Sequence, residues 1–234
     1  PVETDGAVNA TLSGDGARVA YTVVDDHGEG QTAHGQSFVI ETAGGVPTLV
    51  CEHCGLYGFM ADNRRVIAAV GSDVIRLINI ADRSALDVVR AASGVIDRPS
   101  VSPDNRWIAF RAFRGSNRGS SKVFVGALTS GRPLTPETAT EVEEPTTTGR
   151  AAGWSPDSRI LYMLLDSDGT RCLWGQRVDA RGRLVDAPYA VRHFHNQSVQ
   201  GYGTSLANAI TAGGFLYESV ATTANVWKLS LPER

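Results

Sequence analysis

Ser102-Pro103-Asp104-Asn105-Arg106-Trp107-Ile108-Ala109-Phe110 is a tight turn running straight into an apolar strand. Proline presets φ for the second position of a turn, aspartate accepts hydrogen bonds from nearby amides, and asparagine tolerates positive φ beside it. From Trp107 onward the side chains alternate, with Trp107 and Ala109 on one face and Ile108 and Phe110 on the other. Both sets are apolar, so the strand is expected to be buried on both faces, sandwiched between neighbours.

The same grammar returns at Ser13-Gly14-Asp15-Gly16-Ala17-Arg18-Val19-Ala20-Tyr21, Ala61-Asp62-Asn63-Arg64-Arg65-Val66-Ile67-Ala68 and Ser155-Pro156-Asp157-Ser158-Arg159-Ile160-Leu161-Tyr162. Asp15, Asp62, Pro103, Asp104, Pro156 and Asp157 are therefore read as structural turn residues. A fainter fifth copy, Thr211 to Tyr217, lacks both the Asp and the Pro. Each copy leads to a second strand, at Ser37–Glu41, Ile75–Ile80, Lys122–Leu128, Cys172–Val178 and Asn225–Leu231. Asp25–Gly35, Arg114–Ser121 and Asp166–Gly169 read as hairpin turns, and Glu137–Arg150 as an exposed loop between units. The best helical rival, Ile80–Ala92, contains Asp82-Arg83-Ser84, which reads as a turn, and strand is the preferred reading.

Units of roughly 40 to 50 residues, each with several short strands, predict an all-β chain built as a β-propeller. Five blade-like units are expected in one domain, at about 1–50, 51–91, 92–136, 148–195 and 196–234. They either close as a small ring or belong to a six- or seven-bladed one. The chain opens Pro1-Val2-Glu3-Thr4, without initiator Met or signal peptide, and reads as a piece of a longer polypeptide. With 22 Lys+Arg against 25 Asp+Glu, the net charge of −3 argues against a nucleic-acid binder. No apolar run is long enough to span a bilayer.

The anchors at Ser102–Phe110 and Gly153–Tyr162 resemble the W-S-P-D-G-(K/R)-x-(I/L)-(A/V)-(F/Y) repeat of TolB-type propellers, a PD-type repeat akin to the WD repeat. Gly131-Arg132-Pro133-Leu134-Thr135 resembles the R-x-L-T that follows a blade in that family. Asn105 and Ser158 stand where the family usually has Gly. Cys172–Val178, His193-Phe194-His195 and Asn225–Leu229 also look like the C-terminal half of bacterial propeller regions appended to Ser/Thr kinases or winged-helix regulators. No catalytic or DNA-binding residue of those relatives has a counterpart here. The resemblance implies a sensory or scaffolding domain, with a periplasmic or other extracytoplasmic place slightly favoured over the cytoplasm.

Among candidate chemical sites, Cys51-Glu52-His53-Cys54 has a spacing that suits zinc or redox chemistry. There is no second Cys pair to complete a zinc site, so a structural turn is preferred, with a local disulfide if exported and free thiols if not. Cys172 reads as a buried thiol. His193 and His195 share a strand face, and an exposed edge is the preferred reading. Asp25-Asp26-His27-Gly28-Glu29-Gly30 and Asp166-Ser167-Asp168-Gly169 cluster oxygen ligands, but the second has Arg177 where an EF-hand needs Glu. Gly-x-Ser-x-Gly and a Walker loop are absent, and Gly201–Ser205 is too weak to cradle phosphate. Trp107, Trp154, Trp174 and Trp227 are expected to pack between blades. Arg106, Arg111, Arg114, Arg118 and Arg150 could form a basic patch, though a solvated surface is preferred.

No catalytic, cofactor or metal site is expected. The reading is a non-enzymatic platform that takes a protein partner or small ligand at the propeller rim or channel. The alternative is an accessory domain of a peptidase, or a carbohydrate-active propeller whose acids would be sought at Asp97, Asp104 and Asp157.

Overall fold

The computed structural model describes residues 7–24, 35–113, 121–129, 131–143, 149–167, 170–194, 198–199, 209–211, 214–216 and 219–220, and over these the chain is antiparallel strands joined by turns. β1 (Ala7–Leu12), β2 (Arg18–Val23), β3 (Gly35–Glu41), β4 (Thr48–Phe59), β5 (Arg65–Val70), β6 (Val74–Asn79) and β7 (Ala85–Arg90) follow in order through one sheet. That sheet is two four-stranded blades sharing a strand. The first part of β4 pairs with β3, as in Thr48 with Val39, and its second part pairs with β5, from Cys54 with Val70 to Phe59 with Val66.

A third blade is β8 (Val95–Val101), β9 (Trp107–Phe113), β10 (Ser121–Ala127) and β11 (Thr140–Glu141). A fourth is β12 (Gly149–Trp154), β13 (Ile160–Ser167), β14 (Thr170–Val178) and β15 (Leu184–Arg192). Beyond it, β16 (Ser198–Val199) pairs with β19 (Ser219–Val220), and β17 (Ala209–Thr211) with β18 (Gly214–Leu216). The architecture is thus the all-β, several-bladed one expected from the repeat.

Apolar alternation decides how the blades stack. Ile108, Phe110 and Ala112 of β9 join Ile67, Ile75, Leu77, Val88 and Val89 of the second blade in one cluster. Trp107 and Ala109, on the opposite face of the same strand, join Trp154, Leu161, Met163 and Leu165 of the fourth blade in another. A third cluster joins Ala20 and Val39 of the first blade to Leu56, Val66, Ala68 and Ile78 of the second. Each interface removes several large side chains from water, at about 25 cal/mol per Å² of apolar surface. Phe110 and Phe124 stack within the second–third interface, with ring centroids 5.6 Å apart.

Two segments differ from the sequence reading. Residues 51–54 lie inside β4 and are not a turn, although His53 there has a φ of 55°. The segment read as the loop Glu137–Arg150 contains β11 and the start of β12, because Val142 is fully buried and its N–H donates to Val123 O at 2.9 Å. β4 runs continuously from Thr48 to Phe59 and so serves both the first and the second blade. The helical rival Ile80–Ala92 is a turn at Asp82–Ser84 followed by β7, with the Ser84 N–H donating to Asp82 Oδ1 at 2.9 Å.

The R-P-L-T element has a defined place. Leu134 N–H donates to Val88 O at 2.9 Å, and Arg90 N–H donates to Leu134 O at 2.8 Å. The connection between β10 and β11 of the third blade therefore covers the open edge of β7 in the second. Its Leu134 side chain fills space that a Cβ at Gly126 would occupy.

Gly182, in the turn between β14 and β15, has a φ of 79°, and a Cβ there would lie 2.0 Å from Trp107 Cζ3. Gly182→Ala is expected to lower stability by about 2 kcal/mol in urea unfolding, through the clash and the strained backbone. Gly58→Ala meets nothing within 4 Å and no positive φ, and its cost should stay within about 0.5 kcal/mol.

Candidate functional site

Three of the four repeated turns share one side-chain hydrogen-bond pattern. Ser13, Ser102 and Ser155 each donate from Oγ to the Asp two residues on, at 2.6 Å in every case. The same three hydroxyls accept the N–H of Arg18, Trp107 and Ile160, the first residues of the following strands or next to them. Asp15, Asp104 and Asp157 in turn accept the N–H of Ala17, Arg106 and Arg159. In the second blade Met60 replaces Ser, and Asp62 instead binds the Arg64 and Arg65 amides and the Arg65 guanidinium.

These contacts hold the carboxylates below their ordinary range. For Asp15 and Asp157 the largest cause is the serine hydroxyl, Ser13 and Ser155 respectively. For Asp62 and Asp104 burial pushes upward, but the surrounding donors outweigh it. Asp179, in the β14–β15 turn, is lowered to about 2, chiefly by the Arg183 backbone N–H. The fourth turn position is left-handed throughout, with φ of 71° at Gly16, 53° at Asn63, 58° at Asn105 and 60° at Ser158.

The side chains at that position reach back to the preceding blade. Asn63 Oδ1 accepts the Gly14 N–H at 3.0 Å, and Asn105 Oδ1 accepts the Ala61 N–H at 3.3 Å. Ser158 Oγ accepts the Asp104 N–H at 3.1 Å. The choice of residue follows the preceding turn. Gly14 and Ala61 offer an N–H at the second turn position, within reach of Asn. Pro103 has none there, and the shorter Ser meets the next amide instead. Arginines reinforce the chain of turns: Arg18 donates to Asn63 O at 3.1 Å and Arg106 to Ala180 O at 2.7 Å.

At this end of the blades a cavity of about 750 Å³ opens between the first strands of three successive blades. Its walls are the ends of β1, β4 and β8, with Leu12, Tyr57, Phe59, Arg98 and Val101 facing it and the turn residues Asn63 and Asn105 at its margin. Leu12 is 58% exposed. Burial pushes the Tyr57 phenol up to about 12, helped by the nearby Asp97 charge. Arg98 has a φ of 50° at an irregularity in β8 between Asp97 and Ser100. The left-handed residue re-aims the strand where it borders the cavity.

The acids proposed for sugar chemistry are engaged elsewhere. Asp104 and Asp157 belong to the turns, and Asp97 is buried in a two-pronged ion pair with Arg111 Nε and Nη2 at 2.6 and 2.5 Å. Arg111 also lies over Phe113, 4.5 Å from its centroid. Arg106 and Arg111 therefore have separate structural partners; Arg114 and Arg118, and the side chain of Arg150, lie outside the described residues. Cys51 and Cys54 form a disulfide, and Cys172 is a buried thiol. His193 packs edge-on against Trp174, while His195 lies outside the described residues, as do Asp25–Gly30, the Asp168-Gly169 pair, Gly201–Ser205 and Trp227. The described residues contain no group of three or more metal-ligating side chains. Sequence reasoning overlooked Tyr57, Arg98 and the reaching-back role of Asn63, Asn105 and Ser158. Its one available signal was the replacement of Gly at a left-handed turn position by residues carrying an acceptor.

No protein-family model matches the sequence. No curated protein matches it either. Solved structures do. TolB from Acinetobacter baumannii aligns over 93% of this chain and 48% of its own, with a TM-score of 0.54 and 14% identity. A putative TolB from Agrobacterium tumefaciens aligns over 79% of this chain and 64% of its own, with a TM-score of 0.58 and 16% identity. Prolyl oligopeptidase B from Galerina marginata aligns over 84% of this chain and 30% of its own, with a TM-score of 0.55 and 10% identity. At such identities the likeness is one of fold. The chain spans about half the length of the first of these structures.

Asn105→Ala should cost about 1–2 kcal/mol in urea unfolding, since it removes the acceptor for Ala61 and leaves a Cβ in the left-handed region. Asn105→Gly loses the same bond but relieves the backbone, and should cost clearly less than the alanine variant. Acid should also weaken the fold. A carboxylate with a depressed folded pKa stabilises above its unfolded value near 3.8 and loses that contribution as pH falls through the folded value. Urea midpoints are expected to hold level above about pH 5 and to fall toward pH 2, with Asp179→Asn showing a shallower fall.

Proposed function

We propose that this chain is a non-catalytic propeller domain that binds a protein partner or small ligand in the cavity between β1, the end of β4 and β8. The observation that carries this reading is the cavity itself: about 750 Å³, walled by three blades, with mixed apolar and polar lining. Such a concave site with a few convergent polar groups is the usual form of a binding pocket. Asp15, the acid in the lining, supports binding over turnover because its carboxylate is spent on the Ser13 hydroxyl and the Ala17 amide. The five-unit division of residues 1–234 into a single propeller domain belongs to the same proposal. The Cys51–Cys54 disulfide supports an oxidising, extracytoplasmic setting. No helix among the described residues is long and apolar enough to cross a membrane.

Gly58 borders the cavity and a Cβ there would meet nothing within 4 Å, so Gly58→Trp places an indole at the site from an unobstructed position. Ligands or partners selected on the wild-type chain should bind this variant at least tenfold more weakly, with the melting temperature unchanged. Equal binding by the two proteins would move the site elsewhere. Turnover of a bound small molecule by the wild-type chain would replace the reading with an enzymatic one.

A further inference from the structure

β4 crosses from the first blade to the second at Cys51-Glu52-His53-Cys54. Residues three apart in a regular strand point to opposite faces, so two such cysteines do not normally meet. Here His53, with a φ of 55°, breaks the alternation and brings the two sulfurs together, with the Cα atoms 6.1 Å apart. Cys54 is completely buried among Ala20, Val39, Leu56 and Ala68. Cys51 is partly exposed, and Glu52 and His53 are exposed.

The bridge is poorly placed to act as a staple. It encloses only two residues, and chain-entropy stabilisation is smallest for the shortest loops. β4 is already paired with β3 from Thr48 through both cysteines, Ser37 opposite Cys51 and Gly35 opposite Cys54, and with β5 from Cys54 onward. What the bridge does constrain is the crossing. Ser37 Oγ donates to Cys54 O at 3.1 Å, Ser37 and Thr22 hydroxyls lie 2.9 Å apart, and Leu56 N–H donates to Thr22 Oγ1 at 3.1 Å. That buried polar relay ties the bridge to Leu56, and the next residues, Tyr57 to Ala61, form one wall of the cavity.

We propose that Cys51–Cys54 is a reversible thiol–disulfide site, opened by a dithiol of the CxxC oxidoreductase type, whose state sets the course of β4 and with it the cavity wall. A thiolate of the dithiol attacks the more exposed sulfur, Cys51 Sγ, forming a mixed disulfide while Cys54 leaves as thiolate with the bonding pair and takes up a proton. The second thiol of the reductant then attacks the mixed disulfide and releases Cys51. Two electrons and two protons pass to the chain, and the dithiol becomes a disulfide. The proposal goes beyond the binding reading and needs no ligand in the cavity.

The intact chain is treated with dithiothreitol without denaturant, alkylated with N-ethylmaleimide and weighed, and backbone hydrogen exchange is followed in parallel. Two maleimides are expected, on Cys51 and on Cys54, which the opening of β4 exposes, with none on Cys172, which stays buried in β14. Exchange over Gly55–Phe59 should quicken at least tenfold on reduction and return on reoxidation with glutathione disulfide, while β9 and β10 keep their rates. Cys51→Ser should show the fast pattern with or without reductant. Three results overturn the proposal: both cysteines alkylated before reduction, reduction only together with labelling of Cys172 or added denaturant, or unchanged exchange over Gly55–Phe59.

Discussion

Each four-stranded sheet in this chain has two apolar faces and no means of covering them alone. On β9, Ile108 and Phe110 look toward the second blade and Trp107 and Ala109 toward the fourth. A helix would hide such residues along one stripe; a flat sheet greasy on both sides needs a neighbour on each. The order of blades in space therefore follows their order in sequence, and each interface is filled by two consecutive units.

Apolar packing alone leaves the sheets free to slide, because flat faces carry little register information. The turns supply it. In three of the four described turns the left-handed residue carries a side-chain acceptor that reaches the preceding turn, and the acceptor's length matches the amide it must meet. Gly16, the first of the series, has no acceptor to offer, and it is also the one turn with no described blade before it. The cavity lies against this same row of turns, so whatever fixes the spacing of the blades also fixes the shape of the cavity mouth.

Much of the fold was legible because its signals are local. Alternation at Trp107–Phe110 revealed a doubly buried strand, and the Asp-containing turns punctuated the repeats. The misread segments are those whose conformation depends on distant partners. Val142 looks like part of a polar loop until Val123 takes its amide, and Cys51–Cys54 looks like a turn until β3 and β5 claim the strand on either side. The cavity was not legible at all, since Leu12, Tyr57 and Arg98 come from three blades and share no motif.

By itself the sequence determined the repeating unit: short strands apolar on both faces, each introduced by a turn built from Asp and a residue able to take positive φ. These are properties of neighbouring residues, set by backbone sterics and by the alternation of side chains along a strand. The tertiary structure alone decided which amide Asn63, Asn105 and Ser158 would capture, that Arg111 would occupy Asp97, that Leu134 would cover the edge of β7, and that three strand ends would enclose a cavity. Those outcomes depend on the distance and angle between stacked sheets, which no single stretch of residues encodes.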